Sequence, residues 1–432
     1  MISPPKLSAA CAFHPYDNGG GSEEFVLCIG EGRQFKVSAL ARRVLSRLDG
    51  TVCLDEIAAG LNAEAVPVTA QQLAVLVERY AALGAIENGA TGPPVPTAAR
   101  PALRAGFPLL LAWDLLPQRL VAWLALRLKF LYAPAAAVAA LSLMVWTHYT
   151  VYAHKLDAAT LSPASYLWII GLSIASILFH ELGHAAAVSR FGGTPGKVGC
   201  GLYLLMPTFY ADVSQIWRFS RRQRMVVDLG GAYFQQMAFA GFALGALWSG
   251  RPELTAACRM IDLMVLMALN PIFRFDGYWF LVDYLAMPKL HSLALRYPLW
   301  WLRRRLGRPV APLALPRMSR LARGLFSSYS VLSSLFLVAA FWLSYHYLST
   351  TLVQFPRVAP RAFLATVTAF QSGDVSLFLI RLITCFFLIA FPATALIGIS
   401  LYAGRILRLC IAWLAPRTNK LLVKANLSRR SI

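Results

Sequence analysis

Charged side chains are scarce in this chain, 14% of 432 residues, and acidic ones scarcer still, with 20 Asp and Glu against 41 Lys and Arg. Set beside 58% hydrophobic residues, that scarcity excludes an ordinary soluble globular protein and points to the bilayer as solvent. Paired cysteine spacing is absent too: Cys11, Cys28, Cys53, Cys200, Cys258, Cys385 and Cys410 are scattered and odd in number. Neither a disulfide framework nor a thiolate zinc site is indicated. No cleavable signal peptide precedes the first apolar run, because residues 1–24 are polar and rich in Gly and Pro; the N-terminus is expected to stay attached and cytosolic. Histidine is rare, with 7 residues, so an ordered histidine pattern carries information.

What is abundant is long apolar sequence. Runs near 130–153, 164–189, 226–249, 258–285, 325–349 and 376–403 can cross about 30 Å of hydrocarbon as helices, one of them only if its polar centre is tolerated. The formal charge of +21 invites a nucleic-acid reading, but the basic residues flank these runs, where they report orientation instead. Segments 190–225, 286–324 and 405–432 hold 6, 9 and 7 Lys plus Arg, against 1, 2 and 2 in 154–163, 250–259 and 350–375. The alternation predicts a multi-pass protein with both termini cytosolic. The basic run from Lys289 to Arg323, with Arg303, Arg304 and Arg305, is expected to contact anionic lipid.

Ahead of the first run lies a small soluble domain. Residues 1–24 are expected to be disordered, 25–90 to fold, 91–129 to form a linker and juxtamembrane segment, 130–403 the membrane domain and 404–432 a basic cytosolic tail. Within 25–90, Phe25 to Ile29 and Gln34 to Val37 flank Gly30-Glu31-Gly32 as a hairpin, and Ser38 caps a helix reaching Leu48. A second helix follows Thr51, and a third starts at Thr69 with Leu73, Leu76, Val77, Tyr80 and Leu83 on one stripe. The third helix has Arg79 as its only basic residue, which argues against groove binding and for no nucleic-acid partner. The fold class expected for the whole chain is therefore mainly α: a polytopic membrane helix bundle of about six spans with a small N-terminal winged-helix-like α+β domain. The stretch from Phe35 to Ile86, with Leu48-Asp49-Gly50-Thr51 and Leu83-Gly84-Ala85-Ile86, resembles the peptide-chaperone domain of pyrroloquinoline-quinone biosynthesis, a RiPP recognition element. That resemblance implies a leader-peptide partner, bound as a strand added to the sheet edge.

The chemistry is concentrated in His180-Glu181-Leu182-Gly183-His184, an H-E-x-x-H run that sets two imidazoles one turn apart on a helix face with a glutamate beside them. Roughly 0.2% of shuffled chains of this composition would contain the run by chance. It falls inside an apolar span, where ionisable groups need compensation that a divalent cation would supply. Catalytic zinc takes three protein ligands, so a third is needed. Asp276 is the candidate, because Asn270-Pro271-Ile272-Phe273-Arg274-Phe275-Asp276-Gly277 interrupts the fourth run, and at 1.5 Å per residue His180 and Asp276 lie about 24 and 27 Å from the outer ends of their spans. Asp262, Asp283, His148, His291 and His346 lie nearer span ends or in a loop.

This pair of motifs, over roughly 164–285, resembles the site-2 protease family of intramembrane zinc metalloproteases. The resemblance implies His180, His184 and Asp276 as zinc ligands, Glu181 as general base, and Asn270 as a polar partner of substrate or intermediate, in a protein of the bacterial cytoplasmic (inner) membrane. The separation of Asn270 and Asp276 is six positions here against eight commonly in the family, which weakens the carry-over to Asn270. Residues 196–212, with Gly199, Gly201 and Pro207, read either as a re-entrant strand that pairs with substrate backbone or as a plain interhelical loop. Three functions stay open: processing of a ribosomally made precursor peptide, with export or maturation partners; regulated intramembrane proteolysis of a membrane-anchored signalling protein; and a non-proteolytic export or immunity protein.

Overall fold

The computed structural model describes residues 4–17, 23–30, 33–64, 66–87, 111–153, 161–203, 206–313, 315–316 and 318–414. The expected linker from Gly92 to Pro101 and the tail beyond 414 lie outside them. The chain is mainly helical, with two small sheets. It divides into two compact units, one of residues Met1–Tyr203 and Pro207–Ser333, the other chiefly Ser334–Ile432.

The N-terminal part of the first unit opens with β1 (Cys11–Pro15), β2 (Glu24–Ile29) and β3 (Arg33–Ser38), followed by α1 (Ala39–Leu45), α2 (Leu54–Ala63) and α3 (Ala70–Ala82). The strands are antiparallel in the order β1-β2-β3, with Cys11 opposite Ile29 and Glu24 opposite Ser38. Ser38 accepts from the Ala41 N–H to cap α1, and Thr69 with Gln72 forms a capping box on α3. Leu27, Val44, Leu45, Leu61 and Leu73 form the core of this part. One expectation is corrected: residues 4–17 are not a disordered lead but part of the domain. Cys11–Pro15 completes the sheet, and Lys6 and Leu7 bridge to Asp49 and Ile86. The strand is short and half-exposed, so it carries no alternation strong enough to read from sequence.

Within the expected linker and juxtamembrane segment, β4 (Leu111–Leu116) and α4 (Gln118–Leu128) are ordered. They are held by packing, since Val121 and Ala125 of α4 are fully buried against Ala185 and Val198. The bundle continues with α5 (Pro134–Ala153) and α6 (Pro163–Arg190). Ser162 caps α6 and Pro163 starts it, the preferred order at a helix N-terminus. Next come β5 (Val198–Tyr203) and β6 (Met206–Ala211), which with β4 make a sheet in the order β4-β5-β6. Segment 196–212 is thus a hairpin with a third strand beside it rather than a plain loop.

The remaining elements of the first unit are α7 (Arg221–Ser249), α8 (Pro252–Ala268), α9 (Asp276–Leu285), α10 (Leu290–Arg305) and the first part of α11 (Arg320–Gln371). The run 258–285 is therefore two helices, not one span. α8 ends at Ala268, and Asn270 Oδ1 accepts from the Ile272 N–H to turn the chain across Pro271 ahead of the start of α9. In the second unit α11 runs on through residues 350–371, expected to be an outer loop, and α12 (Val375–Leu414) follows a tight turn at Gly373, φ 73°. Asp374 caps α12 through the Leu377 N–H.

Four helical stretches among the described residues are long and apolar enough to cross a membrane: Pro134–Ala153, Pro163–Arg190, Arg320–Thr351 and Val375–Ile397. Large apolar side chains stand exposed on them, including Val138, Val145, Tyr149, Val338 and Trp342, the surface expected where lipid is the solvent. α7 has the length, but Arg221, Arg222, Arg224 and Asp228 in its first turns lower its hydropathy. α6 and α7 cross backbone to backbone, because a Cβ at Gly183 would overlap the Gly230 carbonyl. Tyr132 secures the crossing by donating to the Gly183 carbonyl at 2.9 Å.

Candidate metal centre

His180, Glu181 and His184 are all buried, on the C-terminal half of α6. Each imidazole has its Nδ1 edge tied to α7. His184 Nδ1 lies 2.7 Å from the Val227 carbonyl oxygen, which can only accept, so Nδ1 carries a proton and in the neutral ring Nε2 presents a lone pair. His180 Nδ1 lies 3.0 Å from Gln235 Oε1, and the orientation of that amide is set one step further out. Ser176 donates its hydroxyl proton to the Ser173 carbonyl at 2.7 Å and so accepts from Gln235 Nε2 at 3.3 Å. Gln235 must then offer oxygen to His180, whose Nε2 is likewise bare.

The third member comes from α9. Asp276 is its first residue, and its Oδ2 lies 2.9 Å from His180 Nε2 and 3.4 Å from His184 Nε2. The two Nε2 atoms are 3.2 Å apart. Three acceptor atoms thus converge, and Asp276 Oδ2 is buried without a conventional hydrogen-bond donor. Ligand atoms bonded to one tetrahedral zinc at about 2.0–2.1 Å lie roughly 3.3–3.4 Å from one another. His180, His184 and Asp276 form the one cluster among the described residues with ligand atoms placed to share an ion. The donor set, two neutral imidazoles and a carboxylate, suits a divalent cation of zinc type.

Glycines make room for this convergence. A Cβ at Gly231 of α7 would overlap the Nε2 atoms of both histidines, and one at Gly277 would overlap the Leu269 carbonyl, where the chain folds back into α9. The backbone of Ala211, at the end of β6, lies near the Glu181 carboxyl group. Of the other acids and histidines named from sequence, His148 and Asp262 pair with each other, His148 Nε2 lying 3.0 Å from the carboxylate, and Asp283 Oδ1 accepts from Arg224 Nε at 2.9 Å. The structure brings His180, His184 and Asp276 together with Glu181 beside them. Asn270, by contrast, has its side-chain oxygen committed to the turn before α9.

Sequence reasoning missed the residues that hold the ligands. Gln235, the Val227 carbonyl and Gly231 lie along one stripe of α7, at i, i+4 and i+8 from Val227, and Ser176 lies one turn before His180 on α6. A glutamine and a pair of glycines inside an apolar run were the available signal.

No family model matches the chain, and no solved structure matches it. Among curated proteins it is 26% identical over 161 residues to a Bacillus subtilis (strain 168) protein named "Putative peptide zinc metalloprotease protein YydH". The similarity covers 37% of this chain and 64% of that relative, so the chain spans less than two thirds of its length.

Proposed function

We propose that the chain is an intramembrane zinc-dependent endopeptidase of the site-2 protease type. The observation that carries the reading is the convergence of two imidazole lone pairs and one carboxylate oxygen within 3.4 Å, each ring locked from behind by α7. Zinc, when bound there, supplies Lewis acidity toward water and a peptide carbonyl. Glu181 takes the proton from the attacking water and returns it to the leaving amine. Gln235 and Val227 keep the imidazole protons on Nδ1, so that the Nε2 lone pairs stay directed at the site. The buried setting of His180, Glu181 and His184 keeps the charges that develop there in a low dielectric, where fixed groups act most strongly.

Substrate delivery follows from the second sheet. β6 is an edge strand in the order β4-β5-β6, and its last residue, Ala211, has its backbone near Glu181. An unwound substrate segment pairing along that edge would carry its backbone carbonyls past the base. In the same reading the N-terminal domain binds the leader of a ribosomally made precursor peptide at the β3 edge of its sheet, with both termini cytosolic and export or maturation partners nearby. The sheet order, which leaves β3 at an edge, supports this.

Glu181→Gln tests the proposal. Zinc content, measured on the purified full chain by elemental analysis, is expected to equal that of the unmodified protein, while peptide cleavage falls by about 10²–10⁴-fold. Cleavage surviving the substitution would leave Glu181 no catalytic part, whereas biological function retained without any peptide cleavage would favour a non-proteolytic membrane protein.

A further inference from the structure

Away from the metal-ligand group, α10 and the first turns of α11 border an open cavity of about 770 Å³. Arg304, Arg305 and Arg323 line it beside the rings of Tyr297, Trp300 and Trp301, the rest of the wall being apolar. Among the described residues no carboxylate lines it. Arg304 lies over the Trp300 ring at 5.5 Å and Arg305 over Trp301 at 5.2 Å, which steadies the cations while leaving their N–H edges for an acceptor. Trp300 is itself fixed, its Nε1 donating to the Ala311 carbonyl at 3.0 Å. Three like charges around one cavity repel one another, and an oxyanion among them would offset that repulsion.

A second observation identifies the rest of the ligand. Arg323 belongs to the first turn of Arg320–Thr351, one of the stretches long and apolar enough to cross a membrane. Beside the cavity Leu302, Leu306, Leu321 and Leu325 stand exposed. Guanidinium groups at a span end, with bare leucines running on from them, match a molecule with an anionic head and hydrocarbon chains. We propose that the cavity is a binding site for an anionic phospholipid, its phosphate on Arg304, Arg305 and Arg323 and its acyl chains along Leu325 and Leu332, both exposed further along the span. Phe326 and Tyr297 of the cavity wall pack in one core with Tyr278 and Val282 of α9, so a bound lipid braces the helix that begins at Asp276.

The test uses the full chain in nanodiscs of phosphatidylcholine, with or without phosphatidylglycerol, and native mass spectrometry to count retained lipids. The unmodified protein is expected to retain a phosphatidylglycerol molecule in preference to phosphatidylcholine and to keep it against excess inorganic phosphate or an oligoglutamate peptide. Each arginine near an anionic lipid contributes about fivefold, so R304Q/R305Q/R323Q should weaken retention by about 100-fold. R304K/R305K/R323K, which keeps the charges, should recover most of it. Equal retention of the zwitterionic lipid overturns the proposal on the unmodified protein alone, even where a variant does not fold. Displacement by inorganic phosphate would make the site one for a free anion, displacement by oligoglutamate one for an acidic peptide, and either overturns it, as does unchanged retention in the glutamine variant.

Discussion

His180 and His184 differ in what fixes them, and the difference predicts unequal responses to mutation. His184 is held by a main-chain carbonyl, that of Val227, which no side-chain change removes. His180 depends on the Gln235 amide and, behind it, on Ser176. Gln235→Leu should free the His180 ring to rotate or change tautomer, lowering zinc affinity by about 10–100-fold, whereas Gln235→Glu keeps an acceptor and should lose little. Calorimetric zinc titration of the two variants checks this; equal affinities would mean that Gln235 does not orient the ring. The histidine pair was legible in sequence because a spacing of four is one helical turn, and Asp276 because only that carboxylate lay at matching depth. Gln235 was not legible: its partner is 55 positions away, and nothing in local spacing tells which polar residue of another helix will meet a given ring.

Between elements, one buried ion pair ties α7 to α9. Arg224, 1% exposed, donates from Nε to Asp283 at 2.9 Å, and its other nitrogens donate to the carbonyls of Phe219 and Asp17. Removing one partner of such a pair strands a buried charge at a cost of about 3–5 kcal/mol, while replacing both with apolar residues is often near neutral. Asp283→Leu alone should therefore lower thermal stability in detergent more than Arg224→Met with Asp283→Leu. A double variant as unstable as the single one would show that packing, not charge, governs the contact. The element boundaries were the least legible part of the fold. Residues 258–285 are apolar enough to read as one span, yet Asn270 and Pro271 break it, and that break is what lets Asp276 start a new helix facing α6. The long helical course of α11 through Pro356 and Pro360 defeated the loop reading for a related reason, since proline inside an apolar helix is tolerated when neighbours satisfy the freed carbonyls.

At the level of the whole molecule, the metal-ligand group joins helices that are distant in sequence, so ligation and stability are linked. A chelator should lower the unfolding temperature of the full chain and added zinc should restore it, with a shift corresponding to about 2.7 kcal/mol at a zinc concentration 100 times the dissociation constant. Glu181→Gln should show the same response and His184→Ala none. A response persisting in His184→Ala would place the stabilising ion elsewhere.

The N-terminal domain meets the bundle at the same arginine. Asp17 offers its carbonyl to Arg224 and its carboxylate to the Arg221 N–H, and the Tyr16 ring lies 5.0 Å from the Arg224 guanidinium. Asp283 and Asp276 share a helix of ten residues, so a tug on Tyr16 and Asp17 has a short mechanical route to the aspartate facing the histidines. Trimming the chain up to residue 17 for expression would not be a silent edit: zinc should leave the shortened protein faster during dialysis. If it leaves at the same pace, the leash between the two parts is slack.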